Sequence, residues 1–250
     1  MSSISILMYH QVGRFPPVSL HRASYCNVER FEQQMRYLAR WGANVISMSE
    51  AERAVRGQIP IPSRAVVLTF DDGYRSFCEF ALPVLRRHNF PAIVYVLAAR
   101  AGGTADWYAV DGQPTPPLMQ WSEVQGLSAH GIEIGSHGMH HTRLAGLARK
   151  PLMAEVADSR KLIEDRIGGP VRHFCYPFGA VDQAAIDAAA SAGYTTAVTC
   201  QRGAARNGME PLALPRKSVR QNFGLPSFMW RLHMKNELKG REWRRTYAAA

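Results

Sequence analysis

Short runs of apolar, β-branched residues recur along the chain, and segments with helical spacing separate them. The apolar runs predict strands over residues 4–9, 44–47, 65–70, 92–97, 132–135, 173–176, 195–199 and 214–219. Helical patterns fill 28–41, 77–88, 122–129, 151–167 and 183–192. In the first of these, Phe31, Met35 and Leu38 fall on one face. Strands without inward–outward alternation are buried on both faces, as in a parallel sheet covered by helices. Strand and helix in regular alternation imply right-handed crossovers between parallel strands. Seven or eight such units predict an α/β fold, an irregular TIM-like (β/α) barrel. The competing arrangement is a doubly wound open sheet.

Two excursions break this rhythm. Residues 13–27 follow the first strand, and residues 102–118, with Trp107 and Tyr108, follow the fourth. In a barrel, the segments after strands lie on the catalytic face, and long ones there shape a substrate groove. The barrel is expected to occupy residues 1–225, followed by a basic helix or tail over 226–250. The length of 250 residues suits one such domain.

Composition narrows the functional classes. Hydrophobic residues make up 46% and charged residues 20%, which is ordinary for a globular protein with its own core. Cys26, Cys78, Cys175 and Cys200 include no closely spaced pair, so neither a zinc ribbon nor a disulfide scaffold is expected. The apolar start at residues 4–9 is short and lacks a preceding basic segment, which predicts a cytoplasmic protein. A formal charge of +10 invites an anionic partner. No nucleic-acid motif accompanies it, and none is expected to bind. The basic residues gather between Arg216 and Arg245. Over residues 228–247 they interleave with Phe228, Met229, Leu232, Leu238, Trp243 and Tyr247. That pattern suits either a terminal helix packed on the barrel or a weak contact with the anionic inner face of a membrane.

Two segments carry chemistry. In VVLTFDDGYRS, a buried-type strand runs into Asp71 and Asp72. Alternation sends adjacent side chains in different directions, so one carboxylate can hold a cation while the other remains a free base. An acidic turn capping the next helix is the plain alternative. In IEIGSHGMHHTRL, three of the nine histidines fall within five residues. On a helical turn His137 and His141 would share a face and reach one metal; His140 is less well spaced. Surface histidines are the alternative. One Asp with two His leaves open positions for water and a substrate oxygen.

TFDDGY followed by SHGMHHTRL resembles the polysaccharide deacetylases of carbohydrate esterase family 4, with FCYPFG at 174–179 as a weaker third motif. The resemblance runs from about residue 4 to residue 219 and implies hydrolysis of N-acetyl groups on a sugar, polysaccharide or glycan precursor. By the same resemblance, Asp71 is the general base, Asp72, His137 and His141 hold one divalent metal, and the Phe178 N–H donates to the oxyanion. Zinc suits these ligands best; cobalt, nickel and manganese also fit. The chain departs from the pattern at three places. Gly138 stands in a Thr position, and Cys175 replaces an Arg that orients the base. No good match exists for the late motif that supplies a catalytic acid. Arg216 is the candidate to orient the base, with a surface charge as the alternative. His10, closing the first strand, is the candidate acid or a substrate contact, and His233 is a weaker one. The LMYH opening resembles members acting on exopolysaccharides or other bacterial glycans. Other readings are a C–N hydrolase for a small amide and a silent glycan-binding protein.

Overall fold

The computed structural model describes residues 2–244. Within them the ten strands are β1 (Ser5–Tyr9), β2 (Gln11–Gly13), β3 (Tyr25–Asn27), β4 (Asn44–Val45), β5 (Ala65–Phe70), β6 (Ala92–Val96), β7 (Ile132–Ser136), β8 (His173–Cys175), β9 (Thr196–Arg202) and β10 (Leu214–Ser218). All but β2 and β3 join one parallel sheet in the order β1-β10-β9-β8-β7-β6-β5-β4. The whole of β1 also pairs with Val66–Phe70 of β5, which closes the sheet on itself. The result is a barrel of seven parallel strands, and the doubly wound open sheet is ruled out. β4 is a short eighth strand because β5 has one edge left. β4 takes its first residues, Ala65 and Val66, and β6 takes Thr69 and Phe70.

Among the described residues the eight α-helices are α1 (Val28–Trp41), α2 (Met48–Val55), α3 (Leu82–His88), α4 (Trp121–Gly126), α5 (Arg149–Met153), α6 (Ser159–Ile167), α7 (Gln183–Ser191) and α8 (Leu225–Met234). Two expected helices are less regular than their patterns suggest. A π-helical turn, Phe77–Ala81, precedes α3, and another, Ala154–Asp158, joins α5 to α6. The helical patterns do not predict α2. Ser47 caps it through a reciprocal pair with Glu50.

Alternation along the strands divides the core into two layers. Leu7, Val66, Leu68, Val94, Ile134 and Phe174 face outward, packed against Phe31, Met35 and Leu38 of α1 and residues of the other helices. Ile6, Val67, Ile93, Tyr95, Cys175, Val198 and Leu214 fill the barrel, with Met48, Ala51, Ala54 and Val55 of α2 against them. Helix α2 therefore plugs the N-terminal end of the barrel. Glu133 fixes it there by accepting the N–H groups of Met48 (2.7 Å) and Ser49 (3.2 Å).

The 13–27 excursion runs from the end of β2 to β3, which pair in parallel across its base, and the 102–118 excursion contains a 3₁₀ segment, Asp106–Asp111. In the basic tail, α8 lies against α1. Phe228, Leu232 and Trp243 are buried, and Lys217 of β10 donates to the Leu232 carbonyl and to Asn236. The expectation for the tail extends to residues 245–250, which lie outside the described residues. Among the described residues no helix is long and apolar enough to cross a membrane.

Candidate active site

The barrel parity that turns Val67 and Thr69 inward carries Asp71 inward at the end of β5. The same rule sends Gly135 and then His137 inward from β7, and Leu214 and Arg216 inward from β10. All three side chains therefore meet at the C-terminal mouth of the barrel. By alternation alone Asp72 would point outward. It instead adopts φ 72°, followed by Gly73 at φ 72°, and this left-handed turn brings its carboxylate back over the barrel. Asp72 Oδ1 ends 3.2 Å from His137 Nε2 and 3.4 Å from His141 Nε2.

His137 and His141 meet for a different reason than their spacing implies. Residues 137–141 form no helical turn. Gly138 (φ 86°) and His141 (φ 65°) double the chain back as an irregular loop, and this loop makes the imidazoles neighbours with ring centroids 5.2 Å apart. His137 Nδ1 lies 2.8 Å from the Cys175 carbonyl, to which it can only donate, so in the neutral ring Nε2 presents a lone pair to the centre. The His141 ring sits between Trp107 and Phe178, each with its centroid 4.4 Å away. His140 points elsewhere, half exposed beside Glu155.

Arg216 is not a surface charge. It is buried, and its guanidinium binds Asp71 bidentately, with Nη1–Oδ1 and Nη2–Oδ2 both 2.7 Å. Its other donors reach Thr69 Oγ1, the Thr199 carbonyl and Cys175 Sγ. Burial opposes the charge on Asp71, but the facing guanidinium outweighs it and holds the carboxyl below its usual range. Asp72 is also lowered: burial opposes ionisation there too, and His141, His137 and His10 more than offset it. His10 follows β1, with Nε2 3.8 Å from Asp71 Oδ2. Its Nδ1 is buried without a partner.

His10, Asp71, Asp72, His137 and His141 line a cavity of about 280 Å³, with Trp107, Tyr108, Tyr176 and Phe178 in its wall. Phe178 stands at φ 59° with its ring half exposed. Among the described residues, four of the six non-glycine positions with positive φ, His21, Asp72, His141 and Phe178, belong to this one cavity. Such strain concentrates where a site is built. Nothing in the local sequence points to the remaining wall. His21 and Asp111 come from the two excursions and pair at 2.7 Å, and Cys200 projects from β9. Each is an ordinary polar residue in a loop or strand until the fold brings it here. His233 is elsewhere: it bonds Tyr37 (2.7 Å) beside Trp41 and Arg64, near the start of β5, at the opposite end of the barrel.

Among the described residues, two groups of side chains could hold a cation. In Asp72, His137 and His141 the ligand atoms lie within 4.8 Å of one another, and so do those of Asp71, His137 and Cys175. The first fits better. Asp72 Oδ1 is buried without a hydrogen-bond partner, an arrangement that costs free energy unless something positive meets it. In the second group Asp71 already has both oxygens on Arg216. Burial also pushes the Cys175 thiol up to about 11, which makes its thiolate harder to form.

The sequence profile described as Polysaccharide deacetylase matches residues 59–197, which include the Asp71–Asp72 turn, the His137–His141 loop and Phe178. The chain belongs to this family. Among relatives in the polysaccharide deacetylase family, it is 26% identical over 218 residues to the Bacillus subtilis (strain 168) protein YxkH, whose name assigns it to the same family. That match covers 87% of this chain and 72% of YxkH. It is 24% identical over 227 residues to the poly-beta-1,6-N-acetyl-D-glucosamine N-deacetylase of Escherichia coli (strain K12). The match covers 78% of this chain but only 34% of the E. coli protein, so the chain spans about a third of that relative's length. The fold is that of the Streptococcus pyogenes deacetylase PplD, solved with acetate (TM-score 0.79, 22% identity, 92% of this chain and 98% of that one). IcaB from Ammonifex degensii is equally similar (TM-score 0.79, 22% identity, 93% and 98%).

Proposed function

We propose that this polysaccharide deacetylase removes the N-acetyl group from a sugar residue of a glycan or glycan precursor, using one divalent cation held by Asp72, His137 and His141. The observation that carries the reading is the orphaned carboxylate oxygen of Asp72 facing two imidazoles, beside a second carboxylate already anchored by Arg216. The donor set suits zinc, with cobalt, nickel and manganese as alternatives. A cation there would polarise the amide carbonyl and make water a better nucleophile.

Each protein group has a role that its surroundings support. Asp71 accepts a proton from the attacking water. Arg216 fixes the direction of that carboxylate and keeps it ionised, at some loss of basicity. The Phe178 N–H donates to the oxygen that gains charge in the tetrahedral transition state. His10, across from Asp71, donates a proton to the departing amine. Trp107 and the half-exposed Phe178 offer aromatic faces on which a pyranose ring can lie. The name of the E. coli relative supports an N-acetylglucosamine polymer as the substrate class.

The test is acetate release from N-acetylglucosamine oligomers, with and without chelator, for the wild-type protein and Asp71→Asn. Wild-type protein should release acetate and lose activity on chelation. Asp71→Asn should still bind the cation yet turn over about 10²-fold more slowly or worse. Full activity after complete metal removal would overturn the cation reading. Near-normal kcat in Asp71→Asn would remove Asp71 as the base. Binding of the oligomers without acetate release would favour the silent glycan-binding alternative.

A further inference from the structure

The His137–His141 loop has no regular structure, yet its backbone is held tightly from one side. Glu155, buried on the π-helical turn between α5 and α6, accepts three hydrogen bonds from it and a fourth from Thr142 just beyond. Oε2 takes the N–H groups of Met139 (2.9 Å) and His140 (3.1 Å). Oε1 takes His140 Nδ1 (3.0 Å) and Thr142 Oγ1 (3.0 Å). Burial opposes its charge, but these donors prevail and keep the carboxyl below its usual range. The approach depends on Gly138, because a Cβ there would lie 3.2 Å from Glu155 Oε2. The side chain missing at 138 leaves the space that this carboxylate fills. A π-turn adds one residue to a helix and changes the direction in which its side chains project. Here it delivers Glu155 to the loop.

The two imidazoles facing Asp72 are held differently. His137 is oriented by its Nδ1 contact with the Cys175 carbonyl. His141 Nδ1 is buried without a partner, and only the faces of its ring are gripped, by Trp107 and Phe178. Stacking resists tilting but not rotation within the ring plane, so the aim of His141 Nε2 depends on the backbone that carries it. That backbone is at φ 65°, an uncommon conformation for a residue other than glycine.

We propose that Glu155 is a positioning residue of the cation site, holding residues 139–142 so that His141 is aimed at the shared centre. This rests on the reading of Asp72, His137 and His141 as cation ligands. Ordinarily a ligand imidazole is oriented by a hydrogen bond to its second nitrogen, and loss of that partner costs about 10- to 100-fold in metal affinity. Here the backbone brace takes over that task.

The experiment is a Co²⁺ titration of chelator-stripped protein, competed against a chromophoric chelator, for wild type and Glu155→Gln. Thermal melts of the metal-free proteins run alongside. Glu155→Gln should bind Co²⁺ about 10- to 100-fold more weakly and change the visible absorption of the bound ion. Gly138→Thr, which displaces the carboxylate, should act in the same direction. A Glu155→Gln protein that melts lower but binds Co²⁺ within about twofold of wild type, well short of the loss expected for an unsupported ligand, would make Glu155 merely structural and overturn the proposal. If Glu155→Gln does not fold, a His140→Ala/Thr142→Val double variant removes two of the four bonds. Weaker binding there supports the proposal, and unchanged binding overturns it. Failure of wild-type protein to bind Co²⁺ would instead defeat the ligand assignment, and this proposal with it.

Discussion

Asp71 and Asp72 are adjacent, chemically identical and almost equally buried, yet they do different work because their neighbours differ. Asp71 faces a guanidinium that satisfies both its oxygens; Asp72 faces two imidazoles and keeps one oxygen unsatisfied. Arg216→Gln is the sharpest test of this division. With the guanidinium gone, burial is left to act on Asp71, and burial raises a carboxyl pKa. In the wild type the lowered pKa keeps Asp71 ionised well into acid, so its protonation does not set the acid limb of kcat/KM. In Arg216→Gln the acid limb of the kcat/KM profile should move to higher pH, with kcat reduced. An unmoved acid limb would mean that Asp71 does not titrate in that profile. The sign for stability agrees. A carboxyl held low contributes stability above its unfolded pKa, lost only as pH falls through the folded value. Removing its partner leaves a buried unpaired charge, at a cost of about 3–5 kcal/mol near neutral pH.

At the scale of elements, strand parity is what aims the site. It sets Thr69 and Asp71, Gly135 and His137, and Leu214 and Arg216 on the inner face of their strands. Gly135 also shows how little room the barrel interior has. A Cβ there would crowd Tyr95 Cδ1 and lie 2.9 Å from the His173 carbonyl. The ring of Tyr95 occupies the place of the missing side chain. Gly135→Ala should therefore destabilise the fold by about 1–3 kcal/mol in denaturant titration, and disturb His137 two residues on. A neutral Gly135→Ala would mean that the barrel wall yields more than its close packing implies. Other elements are harder to read from the chain. α2 is short and rich in charged residues, and its amphipathic face matters only because a barrel end needs a plug. The π-turns are invisible because an extra residue in a helix leaves no distinct pattern in the sequence.

At the scale of the molecule, the basic tail is tied to the barrel. Phe228, Leu232 and Trp243 are buried, and Lys217 reaches from β10 to hold the end of α8. These are residues that a membrane-docked helix would have to commit to lipid. The exposed large apolar residues of α8 that remain are Trp230 and Met234. In a sedimentation assay with anionic vesicles, the intact protein should therefore stay in the supernatant at physiological salt, with at most a charge-driven association at low salt. Salt-resistant binding that disappears when residues 228–250 are deleted would reverse this and favour an enzyme working at the membrane face.

The barrel is legible in the chain alone, because apolar runs of strand length alternating with amphipathic helices can bury their faces in few ways. So are the chemical groups of the site, since Asp71, Asp72, His137 and His141 stand out by clustering at strand ends. How those groups meet is a property of the folded molecule. His137 and His141 are legible as a pair, but a left-handed loop braced by Glu155 brings them together where their spacing suggests a helical turn. Arg216 lies 145 residues from Asp71, and no local pattern distinguishes a buried guanidinium from a surface one. His21–Asp111, 90 residues apart, is illegible for the same reason. Glu155 lies only 13 to 16 residues from its partners, but an irregular loop and a π-turn that leave no periodic pattern separate them. Local sequence specifies secondary structure through backbone and burial preferences that each segment carries, whereas a site depends on distances between segments, which exist only once the chain has folded.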